Sequence, residues 1–112
     1  MEDCIFCKIN NHEIPTDIIY SNEDFFVIKD IKPKAEIHDL IISKKHIISL
    51  QKLSQDEKGL LGDMLLYAQS LAIKYGLSEQ GYKIEINTGP AGGQEVMHLH
   101  IHFLGGKSIN KQ

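Results

Sequence analysis

The chain has 112 residues, 42% of them hydrophobic and 24% charged, with a net charge of −3 from 12 basic and 15 acidic side chains. That is ordinary globular composition for one domain spanning 1–112, and its acidic balance excludes a broad basic surface for nucleic acid. Every basic residue is lysine, so a bound phosphate must be held by backbone N–H groups, histidine, lysine or small polar side chains, without the two-pronged arginine fork.

The N-terminus, Met1-Glu2-Asp3-Cys4, is acidic and lacks the basic-then-apolar pattern of a signal peptide. No run is long enough to cross a bilayer, so no membrane partner is expected and the expected location is the cytoplasm. In that compartment Cys4 and Cys7 are thiols or metal ligands rather than a disulfide. Residues 4–10 read as a short helix. Residues 17–21 and 24–29 read as a hairpin around Asn22-Glu23, and His38-Asp39-Leu40-Ile41-Ile42-Ser43 as a third, central strand. Residues 55–75 form the clearest helix, opened by a Ser54/Glu57 capping box and closed before Gly76. Its apolar stripe, Leu61, Met64, Leu65, Ala68, Leu71, Ala72 and Tyr75, is a core face. Residues 82–87 alternate as a half-buried strand, 87–93 make a turn-forming loop, and 97–104 form a last strand ended by Gly105-Gly106. The tail, 107–112, is polar and expected to be loosely ordered. Strands in runs with one long helix predict an α+β fold on an antiparallel sheet.

Half of the six histidines fall in His98-Leu99-His100-Ile101-His102. On an extended strand they share one face, while Met97, Leu99, Ile101 and Phe103 take the other. Three readings stand on these residues alone. The rings are separately satisfied packing residues, or together they hold a zinc ion, or a neutral imidazole attacks phosphorus while its neighbours orient it or supply protons. Cys4-x-x-Cys7 by itself is redox-active, structural or unremarkable.

The run from Gly92 to Gly106, with Gly-Gln before His98-Leu99-His100-Ile101-His102-Phe103-Leu104, strongly resembles the histidine triad family. Upstream blocks at Cys4–Ile9, Glu13-Ile14-Pro15, Asp30-Ile31-Lys32-Pro33 and 38–46 resemble its nucleotide-binding (Hint) branch, so the likeness covers residues 3–107. It implies a five-stranded antiparallel sheet with two helices, and a homodimer whose sheets run together. It implies a purine nucleoside phosphoramidase that acts on the α-phosphorus of nucleoside 5′-monophosphate derivatives. His100 is then the nucleophile, His102 helps move the leaving-group proton, and His98 braces its neighbour or binds metal. Ile5, Phe6 and Ile9, faced by Ile28 and Ile31, match positions that enclose the purine base. Asp30 matches the residue that bonds the ribose hydroxyls. Asn87, Gln94 and the backbone at Glu95 and Val96 match the phosphate loop. Glu95 departs from the animal pattern, which has serine there. The likeness also joins Cys4 and Cys7 with His46 and His98 as a structural zinc site, and implies no redox cofactor. His12 and His38 have no assigned role. Rival readings are a dinucleoside polyphosphate hydrolase and a non-catalytic nucleotide-binding or scaffold protein.

Overall fold

The computed structural model describes residues 3–106; the expectation for the tail at 107–112 lies outside them. The elements are α1 (Ile5–Asn10), β1 (Ile18–Ser21), β2 (Phe25–Lys29), β3 (Ile37–Ser43), α2 (Lys58–Lys74), β4 (Lys83–Glu85) and β5 (His100–Gly105). All four strand pairings are antiparallel, in the order β1-β2-β3-β5-β4. This is the predicted α+β class with a five-stranded sheet and two helices.

The sheet carries a helix on each face, because the central strands are apolar on both sides. On the α2 face, Val27, Ile41, Leu99, Ile101 and Phe103 pack against Met64, Ala68, Leu71 and Ala72. On the α1 face, Phe26, Ile28, Leu40 and Ile42 pack against Phe6 and Ile9. Register fixes which residues share that second face: His102 stands opposite Leu40 and His100 opposite Ile42. The alternation read along 98–104 therefore holds, with apolar side chains under α2 and imidazoles under α1.

Three boundaries differ from the expected ones. The capping box at Ser54 and Glu57 is present, but residues 55–57 form a 3-10 turn and the α-helix begins at Lys58. The fourth strand keeps only Lys83–Glu85 in the ladder. The last strand begins at His100, not at 97. His98 N–H is turned back to the Val96 carbonyl (2.8 Å) and Leu99 N–H to that of Ile47 (2.6 Å), so the backbone leaves the sheet there. Met97, expected on the core side, is consequently 43% exposed.

Candidate active site

His100 sits at the centre of the α1 face, where β5 meets the loop that precedes it. Its Nδ1 lies 2.7 Å from the His98 carbonyl, which can only accept. The ring proton is therefore on Nδ1, and Nε2 carries the lone pair. Phe6 closes one side of the ring with centroids 5.1 Å apart. Burial pushes the His100 pKa down, only partly opposed by the His98 hydrogen bond and by the charges of Asp30 and Glu95. The imidazole is thus neutral, with a free nitrogen, at physiological pH.

His102, one pleat further on, is oriented by a residue to which the sequence reading gave no role. The Lys34 backbone N–H donates to His38 Nδ1 (3.0 Å), so the proton of neutral His38 is on Nε2. That Nε2 lies 2.9 Å from His102 Nδ1 and 3.4 Å from Asp30 Oδ2. His102 Nδ1 must accept, which leaves its own proton on Nε2. A backbone amide thereby sets the tautomer of His102 through His38. His38 is buried on β3, diagonally across from His102. The sequence signal was a histidine opening a mostly apolar central strand.

Burial first, then the nearby His100 and His38, hold His102 down to about 4. Burial also lowers His38. Unfolding returns both rings toward about 6.5, so between pH 6.5 and 4 the unfolded chain binds more protons than the folded one. Stability is therefore expected to be level above pH 7.5 and to fall by about 1–3 kcal/mol on this account as pH drops through that window. Urea unfolding at pH 7.5, 6 and 5 reads this effect. A His102→Asn variant should flatten the dependence, and an identical slope in both proteins would refute the assignment.

The loop 87–94 is fixed by its own bonds. Gln94 Oε1 accepts from Gly89 N–H (2.9 Å), and its Nε2 donates to the carbonyls of Ile48 (2.7 Å) and Val96 (3.0 Å). Asn87 Nδ2 donates to the Gly92 carbonyl (2.8 Å). Gln94 thus uses both its amide hydrogens to brace the loop, while Asn87 uses one. A side chain at Gly92 would collide with the Thr88 carbonyl, and Gly93 has φ +80°, so the turn requires glycine at both. Among the described residues the backbone N–H groups of Glu95 and Val96 have no hydrogen-bond acceptor. They are the free donors beside His100 in a chain without arginine.

Other expected residues divide by position. Phe6, Ile9 and Ile28 are buried together, and Val96 packs against their cluster. Ile5 is 43% and Ile31 87% exposed, and neither is packed into that cluster. Asp30 Oδ1 accepts from Lys32 N–H (2.8 Å) while Oδ2 faces His38. His12 is exposed with φ +61° and belongs to neither donor cluster among the described residues.

Behind His100 the structure brings together Cys4, Cys7, His46 and His98, one donor atom from each lying within 4.8 Å of all the others. Cys4 Sγ is 3.2 Å from His98 Nδ1, Cys7 Sγ is 3.2 Å from His46 Nδ1, and the two Nδ1 atoms are 3.1 Å apart. A tetrahedral zinc ion spaces S and N donors by about 3.3–3.8 Å, from its bond lengths of about 2.3 and 2.0–2.1 Å. His98 Nε2 donates to the Ser43 carbonyl (2.6 Å), which leaves Nδ1 a bare acceptor turned toward the thiols. This donor set fits zinc, with Ser43 orienting one ligand from behind. Without a cation, burial and the neighbouring Cys4 push the Cys7 thiol up to about 11.

Residues 3–112 match the family model described as scavenger mRNA decapping enzyme C-term binding (DcpS_C). The chain is 40% identical over 108 residues to the purine nucleoside phosphoramidase of Escherichia coli strain K12, covering 96% of this chain and 91% of that one. Its structure superposes on a HIT family hydrolase from Legionella pneumophila Philadelphia 1 with TM-score 0.90 at 43% identity, covering 94% of each chain. A zinc-bound histidine triad family protein from Mycobacterium smegmatis matches with TM-score 0.82 at 32% identity, over 98% of this chain and 79% of that one.

Proposed function

As this chain belongs to the histidine triad family, we propose that it is a purine nucleoside phosphoramidase: a hydrolase of nucleoside 5′-monophosphate amides that works through a nucleotidyl-histidine intermediate. The observation that carries the reading is the bare Nε2 of a neutral, buried His100, fixed by the 2.7 Å bond to the His98 carbonyl. Such a nitrogen is a nucleophile that needs no further base.

The purine lies against Phe6, Ile9 and Ile28, with the exposed Ile5 and Ile31 free to close on it, and Asp30 takes the ribose hydroxyls. The phosphate sits on the N–H groups of Glu95 and Val96, in the loop that Asn87 and Gln94 brace. His100 Nε2 forms a bond to phosphorus as the P–N bond breaks. The leaving nitrogen departs with the bonding pair and a proton drawn from solvent along the His102 Nε2–H contact. Water then cleaves the N–P bond, releases the nucleoside monophosphate and returns that proton. His98 positions His100 and does not touch the reacting atoms. Turnover of adenosine 5′-phosphoramidate, with dinucleoside polyphosphates run beside it, tests the reading; hydrolysis of the polyphosphates alone would replace it.

Zinc held by Cys4, Cys7, His46 and His98 supplies rigidity here, tying the start of α1 to the strand that carries His100. A homodimer is supported by the open edge of β4 and by exposed Leu66 and Ile73 on α2. Light scattering on a sizing column should give twice the chain mass of 12.7 kDa, and a monomer at 50 µM would reject the dimer. No helix among the described residues is long and apolar enough to cross a membrane.

A further inference from the structure

The outer strand of the sheet is self-complementary. Tyr82-Lys83-Ile84-Glu85-Ile86 reads outward from Ile84 as a charge and then an apolar residue in both directions, with the two charges of opposite sign. β4 ends the strand order among the described residues. Ile84 and Ile86 pack against the core on the α2 face, and Tyr82 stacks on Phe103 with centroids 5.1 Å apart. Lys83 and Glu85 share the other face, with Nζ and Oε2 3.6 Å apart and side chains 40% and 42% exposed. That is the face of the imidazoles, because Glu85 stands directly opposite His102 on β5.

Charges on an edge strand ordinarily keep a second edge from pairing with it. Here they are of opposite sign, so they oppose some alignments and favour one. A two-fold antiparallel ladder sets residue i against residue j of the other copy, and j against i. Centred on Lys83 or on Glu85, it would put like charges face to face. Shifted so that Lys83 meets Ile84, it would set a charged side chain against an apolar one. Centred on Ile84, it sets Lys83 against the partner's Glu85, Glu85 against the partner's Lys83, and Tyr82 against the partner's Ile86. We infer that two copies of this chain join through β4 in that register, so that each His102 is bordered by an ion pair whose lysine comes from the other copy. The inference rests on the homodimer reading and adds its register and the cation it brings to the His102 end of each site. The exposed Leu66 and Ile73 on α2 supply apolar area to the same association.

Sedimentation equilibrium on the full protein, with its charges exchanged, tests this. In about 50 mM salt, Lys83→Glu and Glu85→Lys should each raise the dimer dissociation constant by at least about tenfold, since each turns two attractive pairs into two repulsive ones. Both side chains are partly exposed, so these variants should keep the fold. The double variant Lys83→Glu/Glu85→Lys restores opposite charges across the two-fold and should return the constant to within about threefold of wild type. An equimolar mixture of the two single variants should do the same, because a copy with two glutamates then meets a copy with two lysines. Raising the salt to about 500 mM should narrow every one of these differences. Damage to the strand itself would persist in both rescues, so they separate charge pairing from a merely structural effect. A dimeric wild type whose single variants associate equally well, or whose weakened variants are rescued by neither route, would overturn the register and leave the homodimer standing. A wild type that stays monomeric would overturn the homodimer reading along with it.

Discussion

His100→Ala is expected to lower kcat/KM for adenosine 5′-phosphoramidate by at least about 10³-fold, because it removes the atom that bonds to phosphorus rather than one that assists it. The buried cluster of Phe6, Ile9 and Ile28, proposed above to hold the purine, is untouched, so AMP binding measured by calorimetry should stay within about tenfold of wild type. That split separates loss of a nucleophile from loss of the site. The hydrogen bond from Nδ1 to the His98 carbonyl also predicts how the rate responds to acid. Burial holds the His100 pKa below the ordinary histidine range. The lone pair thus survives as pH falls through 6.5, and the acid limb of kcat/KM lies below that value. Turnover by His100→Ala within tenfold of wild type would reject the nucleophile assignment, even if every other feature of the site held.

Alternation made one part of this site legible and concealed another. A two-residue period from 98 to 104 placed Leu99, Ile101 and Phe103 beneath α2 and the three imidazoles opposite, because burial of one face fixes strand register. The same period over-extended the strand. Sequence spacing carries no trace of the Leu99 N–H bond to Ile47 or of the turn at 96–98, which pull His98 off the ladder. His38 was missed for a related reason. Its partner His102 is 64 residues away, and only the β3–β5 register brings the two together. Gln94 was correctly placed in the loop, yet its three hydrogen bonds are internal. The absence of arginine left backbone N–H groups, histidine, lysine or small polar side chains as phosphate donors, and the N–H groups of Glu95 and Val96 are open among the described residues. Cys4-x-x-Cys7 was visible as a pair, while its meeting with His46 and His98 came from family likeness and not from spacing.

Protein purified from zinc-containing medium is expected to carry about one zinc per chain, and stripping it should lower the melting temperature by more than about 10 °C. A ligand that binds only the folded chain stabilises it by about 4 kcal/mol when its free concentration is a thousandfold above its dissociation constant. For a domain of this size each kcal/mol moves the midpoint by about 4–8 °C. The location of the four donors explains why the effect should reach that size. They join the first turn of α1, the segment after β3 and the residue before β5, which α1 otherwise holds through Phe6 and Ile9 alone among its buried side chains. A smaller effect on catalysis should follow. His98 would keep its bond to Ser43 but lose the ligand that fixes its ring, and its carbonyl orients His100. Turnover of the stripped protein should therefore fall by less than the His100→Ala loss and recover on adding zinc back. Cys7→Ser should reproduce the lowered midpoint without recovery. Less than a tenth of an equivalent of zinc by elemental analysis, or a midpoint unmoved by chelator, would leave Cys4 and Cys7 as two half-buried thiols beside His98 and would remove the metal from this account.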